Sequence, residues 1–260
     1  AHVFMDVSSL GLSWLALYIC AMPATETRTY GWHRSEVFAA FINGVTLLFV
    51  SLVIFYEAYQ RLISPPEVKG LGTMVVASVG LAVNIIVASW LKGHKHEDLN
   101  IRSAYLHVVW DAVASVGVIL SGIIIYYTNW FAADPLISIG IGIIIIPGAV
   151  KIIKESAHIL LEGVPREVNI KSIVEDIKAI DGVQGIHTLH IWSICSNIHA
   201  MSAHIDIEEK ASNRRGEILE LINRKLAKDH HIFYTTLQAE CNGCMTSQLF
   251  RTIEHKEHGH

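Results

Sequence analysis

The sequence predicts an α-helical transmembrane bundle of five spans followed by a cytosolic α+β domain, and three observations carry that reading. The 260 residues are 52% hydrophobic and only 17% charged, with a mean hydropathy of +0.40, a departure from soluble proteins in the direction lipid demands. The apolar excess is unevenly placed: long apolar runs lie before Pro165, while Lys, Glu, Asp and Arg recur densely after it. The hydrophobic pattern also changes there, from unbroken apolar stretches to one amphipathic stripe and several β-rich runs.

A helical span needs about 20 mostly apolar residues. Segments 2–22, 36–61, 71–91, 102–128 and 135–154 reach that length, and each stops where charge or proline returns. The breaks between them are short, so successive helices should be antiparallel neighbours. Arg28, Arg34, Lys92, Lys95, Arg102, Lys151 and Lys154 fall on one side, and the opposite side has chiefly Arg61 and Lys69. The richer side should be cytosolic, and the C-terminal region emerges from it. Small residues at four-residue spacing, Gly117/Ser121 and Ser138/Gly142, should let these helices pack closely.

Beyond Gly163-Val164-Pro165, a helical stripe over 167–180 precedes two predicted strands, 183–195 and 198–207, with a turn at Ser196-Asn197. A helix at 213–228 and a strand at 232–240 complete an αββαβ order. The expected boundaries are a transmembrane domain at 1–155, a linker at 156–165 and a cytosolic domain at 166–260 that ends in a histidine-containing tail.

The net charge of −4 contains no basic arm able to track a phosphate backbone, which excludes nucleic acid as a partner. Four cysteines are too few for a disulfide framework, and Cys241-x-x-Cys244 in a reducing compartment suggests metal or redox chemistry. Ala1 leads straight into an apolar stretch without a charged leader, so the natural N-terminus is expected to lie upstream.

The strongest chemical signal is a repeated pair: His2-x-x-x-Asp6 in the first span and His107-x-x-x-Asp111 in the fourth. Residues four apart share a helix face, so each pair sets an imidazole beside a carboxylate. Two such helices in contact supply four ligands, the number a tetrahedral zinc ion takes. Asp111 stands in an apolar run where an unpaired carboxylate costs several kcal/mol, which demands a partner or a cavity. Both ligand types must lose protons to bind metal, so protons from one side compete with the ion, and histidine titrates near neutrality. Export of metal against import of protons is the economical expectation.

These pairs, together with Tyr30-Gly31-Trp32-His33-Arg34-Ser35-Glu36, Ala133-Asp134-Pro135-Leu136, Leu160-Leu161-Glu162-Gly163-Val164-Pro165 and His187-Thr188-Leu189-His190-Ile191-Trp192, resemble the cation diffusion facilitators, the zinc transporters of bacteria, archaea and eukaryotes. The resemblance runs along nearly the whole chain. It implies six transmembrane helices, a homodimer, a ferredoxin-like cytosolic domain and zinc/proton antiport by alternating access, with His2, Asp6, His107 and Asp111 as a zinc-selective transport site. Five spans are present, so the family's first helix is expected to be missing. It also implies a cytosolic zinc site of His187, His204 and Glu240, to which Cys241 and Cys244 are similar to a cysteine pair that some eukaryotic members add.

Other histidines are expected to be ordinary. His190 should point away from His187 and be packed or hydrogen-bonded, and His199, His230 and His231 should be solvated turn or strand-end residues. His94 and His96, and His255, His258 and His260, form small clusters that default to a solvated loop and tail. His33 should serve the interface, and Asn43 and Asn84 should make interhelical hydrogen bonds. Two rival classes remain. An intramembrane metalloenzyme lacks any H-E-x-x-H arrangement and has no open ligand position, and a membrane-anchored zinc sensor has no use for intramembrane carboxylates.

Overall fold

The computed structural model of the chain describes residues 2–64, 70–93, 99–240 and 248–250, with the side chains of residues 2–10, 70, 71 and 73 outside that description. The chain divides into two compact units, Ala1–Leu160 and Leu161–His260.

The first unit consists of α1 (His2–Cys20), α2 (Arg34–Ile63), α3 (Gly70–Leu91), α4 (Leu99–Thr128) and α5 (Ala133–Leu160). Among the described residues, four of these helices, α2 to α5, are long and apolar enough to cross a membrane. The 19 residues of α1 extend about 28 Å at the helical rise. Helix α5 continues through the first half of the expected linker, because Ile152, Ser156 and Ile159 prolong its buried stripe.

Contact pairs fix the helix directions. Along α4 and α5, Arg102 bonds Glu155 at 2.9 Å, Trp110 lies against Gly148, Gly117 against Ile137 and Ile141, and Ser121 donates to Asp134 at 3.2 Å. As one number rises the other falls, so the two helices are antiparallel. The same reasoning applies to α2 on α5 (Gly44 with Ile152, Phe55 with Gly142), to α3 on α4 (Gly80 with Ser115, Met74 with Gly122) and to α1 on α2 (Ala16 with Ser35, Ser13 with Asn43). Hence α2 and α4 run one way and α1, α3 and α5 the other. Glycine at these crossings leaves room for the partner side chain, as the small-residue spacing predicted.

The bundle interior is rich in small and polar residues, with Ala39, Ala40, Ala149, Ser51, Ser103 and Asn100 buried beside Val37, Leu47, Val108 and Ile152. Trp14, Phe49, Val76, Ile86 and Trp90 face outward. Asn43 makes the expected interhelical bonds: its Nδ2 donates to Ser13 Oγ at 2.8 Å and to Ser103 Oγ at 3.4 Å. Asn100 Nδ2 donates to the Ser13 carbonyl at 2.8 Å, which ties α1 to α4.

The second unit has α6 (Ile170–Lys178), β1 (Val183–Cys195), β2 (Ile198–Ile207), α7 (Arg215–His230) and β3 (Ile232–Glu240), the predicted αββαβ order. Asn169 caps α6 by accepting from the amides of Lys171 and Ser172. A 3₁₀ turn over Glu209–Arg214 precedes α7, so the helix starts two residues later than the sequence suggested. The sheet runs β1-β2-β3, antiparallel then parallel. Ile173 and Ile177 of α6 and Ile218, Ile222 and Leu226 of α7 cover Leu189, Met201, Ile205 and Ile207 in one core. Residues 248–250 return to β1, where the Leu189 amide donates to the Leu249 carbonyl at 2.8 Å.

Candidate metal centres

Strand register assembles a cluster in the second unit. His187 of β1 stands opposite His204 of β2, and Asp206 of β2 stands opposite Glu240 of β3. A bulge follows His187, with Thr188 at φ +49°. Thr188 Oγ1 contacts His187 Nδ1 at 3.2 Å, and that contact turns the ring so that Nε2 faces the carboxylates. Nε2 lies 3.3 Å from Glu240 Oε2 and 3.4 Å from Asp206 Oδ1, and His204 Nδ1 lies 2.7 Å from Glu240 Oε1.

One ligand atom from each of His187, His204 and Glu240 falls within 4.8 Å of the other two, a metal-sized spacing. Buried His187 Nε2 makes no well-directed hydrogen bond among the described residues. A buried nitrogen in that state needs a partner, and a metal ion supplies one, so the donors fit a metal. Two imidazoles with carboxylate suit zinc and its neighbours rather than magnesium or calcium.

Asp206 was missed from the sequence. His204-x-Asp206 puts both residues on one strand face, and that signal was available. Gly185 makes the space for it: a β-carbon there would sit 2.7 Å from Asp206 Oδ2. Cys241 and Cys244 lie outside the described residues.

In the first unit, His107 Nε2 lies 3.5 Å from Asp111 Oδ2 within α4, with His107 buried and Asp111 29% exposed. The side chains of His2 and Asp6 lie outside the described residues, but the backbone of α1 gives their levels. From the Ser13–Asn100 bond, seven residues lead back along α1 to Asp6 and seven lead forward along antiparallel α4 to His107. Four more lead to His2 and to Asp111. Seven residues are about two turns, which returns each helix to nearly the same face. Asp6 is therefore level with His107, and His2 with Asp111.

Several secondary expectations need correction. His199 is buried, 7% exposed, and not solvated: β2 carries it inward, where its Nδ1 meets Ser193 Oγ at 3.2 Å. His230 pairs with Asp176 at 2.8 Å across α7 and α6. His190 is exposed, not packed, because the bulge after His187 carries it to the open face. His231 is exposed as expected, in the left-handed conformation that ends α7. His33 Nδ1 sits 3.6 Å from Cys20 Sγ. His94, His96, His255, His258 and His260 lie outside the described residues.

Residues 1–161 match the cation efflux transmembrane domain and residues 165–241 the cation efflux protein cytoplasmic domain. The chain is 39% identical to a cadmium, cobalt and zinc/H(+)-K(+) antiporter of Bacillus velezensis, over 92% of this chain and 77% of the relative. It is 37% identical to the metal cation efflux system protein CzcD of Cupriavidus metallidurans (94% and 77%) and 31% identical to the human proton-coupled zinc antiporter SLC30A8 (92% and 67%). Among solved structures, the metal-bound C-terminal domain of the CzcD transporter from Cupriavidus metallidurans matches at 30% identity, over 28% of this chain and 99% of that one, with a TM-score of 0.26.

Proposed function

The chain belongs to the cation efflux family of integral membrane transporters, and from that premise we propose that it exports Zn2+ from the cytosol in exchange for protons by alternating access. One observation carries the reading: on antiparallel α1 and α4, each histidine is level with an aspartate of the other helix, and His107 and Asp111 are already 3.5 Å apart. Four ligands, His2, Asp6, His107 and Asp111, give the tetrahedral N2O2 set zinc accepts. Protons compete for the same atoms, so proton arrival from the far side releases the cargo. The names of two relatives, a cadmium, cobalt and zinc/H(+)-K(+) antiporter and a proton-coupled zinc antiporter, support the reading of metal exchanged for protons.

His187, His204 and Glu240, with Cys241 and Cys244, would hold a resident zinc in the cytosolic unit of a homodimer. A bound ion there ties three strands and the two cysteines together, and zinc tightens the dimer rather than folding the domain, whose core is its own.

Proteoliposomes containing the chain test the proposal with an imposed pH gradient and a fluorescent zinc reporter. Zinc flux should follow the gradient and reverse with it. Flux indifferent to the gradient removes the antiport, and absence of zinc flux under every gradient removes the cargo assignment.

A further inference from the structure

A second group of metal-ligating side chains lies in the cytosolic unit, apart from the His187 cluster. His199, His230 and His231 line one cavity of about 400 Å³, with Glu167 and Asp229 at its walls. Two of these imidazoles are held by one nitrogen only. His199 Nδ1 is 3.2 Å from Ser193 Oγ, and His230 Nε2 is 2.8 Å from Asp176 Oδ2. Among the described residues, His199 Nε2 and His230 Nδ1 make no hydrogen bond. Histidines that ligate metals have this arrangement: the far nitrogen is fixed by a hydroxyl or carboxylate, which sets the tautomer and leaves the near lone pair free.

The charges favour the same reading. Lys225 Nζ lies 3.2 Å from Asp176 Oδ1 and supports the carboxylate whose other oxygen accepts from His230 Nε2. Glu167 and Asp229 bring the negative charge a dication needs.

We propose that this pocket is a second cytosolic binding site for a divalent d-block cation, with His199 and His230 as fixed ligands and His231 or an adjacent carboxylate completing the set. Among the described residues, three ligand atoms converge within 4.8 Å only at His187, His204 and Glu240. The pocket therefore closes on an ion by rotation of its exposed members, and it binds more weakly than the His187 cluster. Nitrogen and oxygen donors without sulfur select zinc, cobalt or nickel over calcium and magnesium.

The test uses the full chain in detergent, carrying Asp111→Ala, His204→Ala, Cys241→Ser and Cys244→Ser to silence the other sites. It is stripped by chelator and dialysed against buffered free Zn2+, and zinc per chain is counted. One ion per chain is expected, and His199→Gln and His230→Gln should each remove it, together no more than singly, with unchanged far-UV dichroism. Asp176→Asn keeps both imidazoles and should weaken binding by roughly tenfold or more. Co2+ in the same background should show nitrogen and oxygen coordination with no sulfur charge-transfer band. A zinc count unchanged in the His199→Gln/His230→Gln chain overturns the proposal, as does a silenced chain that holds no zinc.

Discussion

The two units solve the same packing problem in opposite solvents. In the bundle, large apolar side chains such as Trp14, Phe49 and Trp90 face out, and Ala, Ser, Gly and Asn take many of the buried positions beside Val37, Leu47 and Ile152. In the cytosolic unit, Ile173, Met201, Ile205, Ile218 and Leu226 are buried and charge lies outside. Lipid is as apolar as leucine, so burying leucine between spans yields no transfer energy, and close approach plus interhelical hydrogen bonds must hold the bundle. Water rewards burial directly, at about 25 cal/mol per Å². The proposed metal centres differ in the same way: one is written along single helices at i and i+4, the other is gathered across three strands.

That contrast predicts where a single substitution does the most damage. Asp111→Ala removes a proposed intramembrane ligand and little packing volume, since Asp111 is part exposed. Losing an outer-shell partner of a metal ligand already costs about 10–100-fold, so losing the ligand should lower zinc flux roughly a hundredfold or more. The dimer should remain in size-exclusion chromatography. Undiminished proteoliposome transport by this variant places the cargo site elsewhere.

In the cytosolic unit the damage should stop at affinity. His204→Ala should weaken zinc binding by roughly a hundredfold, and Asp206→Asn, which withdraws a carboxylate 3.4 Å from His187 Nε2, by roughly tenfold. Isothermal calorimetry on the stripped full chain measures both. Equal losses at the two positions would make Asp206 a ligand of the same rank as His204, and not a supporting carboxylate.

Stability should divide the units as well. Ile205→Ala in the cytosolic core, fully buried, should cost about 2–5 kcal/mol. Asn43→Ala, which breaks the bonds to Ser13 and Ser103, should cost only about 0.6–1.7 kcal/mol, because a chain loosened within the membrane finds other partners. Urea unfolding of the first and steric-trap or SDS unfolding of the second give the comparison. A larger cost at Asn43 would mean that this polar network, and not close packing, holds α1, α2 and α4 together.

Legibility followed the same division. The spans, the αββαβ order and the His107/Asp111 pair were visible because helix and strand periods are local, and four-residue spacing already implies one face. The partnership of His187 with His204 and Glu240 needed strand register, which spacing alone does not contain. Asp206 shares a strand face with His204, which the i, i+2 spacing already shows, but the room for its carboxylate comes from Gly185, a residue whose significance is the absence of a side chain. His199 and His230 looked like turn residues in sequence, yet Ser193 and Asp176, six and 54 residues away, give them partners that no local pattern reveals.

The smallest effect expected is also the most specific to environment, since it needs an imidazole held neutral by burial. His199 has a folded-state value below its ordinary one, with desolvation the chief cause and Glu167 opposing it. Above the ordinary imidazole range both folded and unfolded chains leave it neutral, so it contributes nothing to the pH dependence. As pH falls through that range the unfolded chain takes up the proton and the folded chain does not, so stability drops by at most about 1.4 kcal/mol per pH unit. His199→Gln should flatten this limb between roughly pH 7 and 5. The Asp176 pair acts lower: its stabilisation is present above the ordinary carboxylate range and is lost only as pH falls beneath it, so the two windows do not overlap. Hydrogen exchange of β2 amides in the metal-free full chain, followed across pH, reads the local effect in the cytosolic unit alone. A limb equally steep in wild type and His199→Gln would show that the acid sensitivity does not arise at His199.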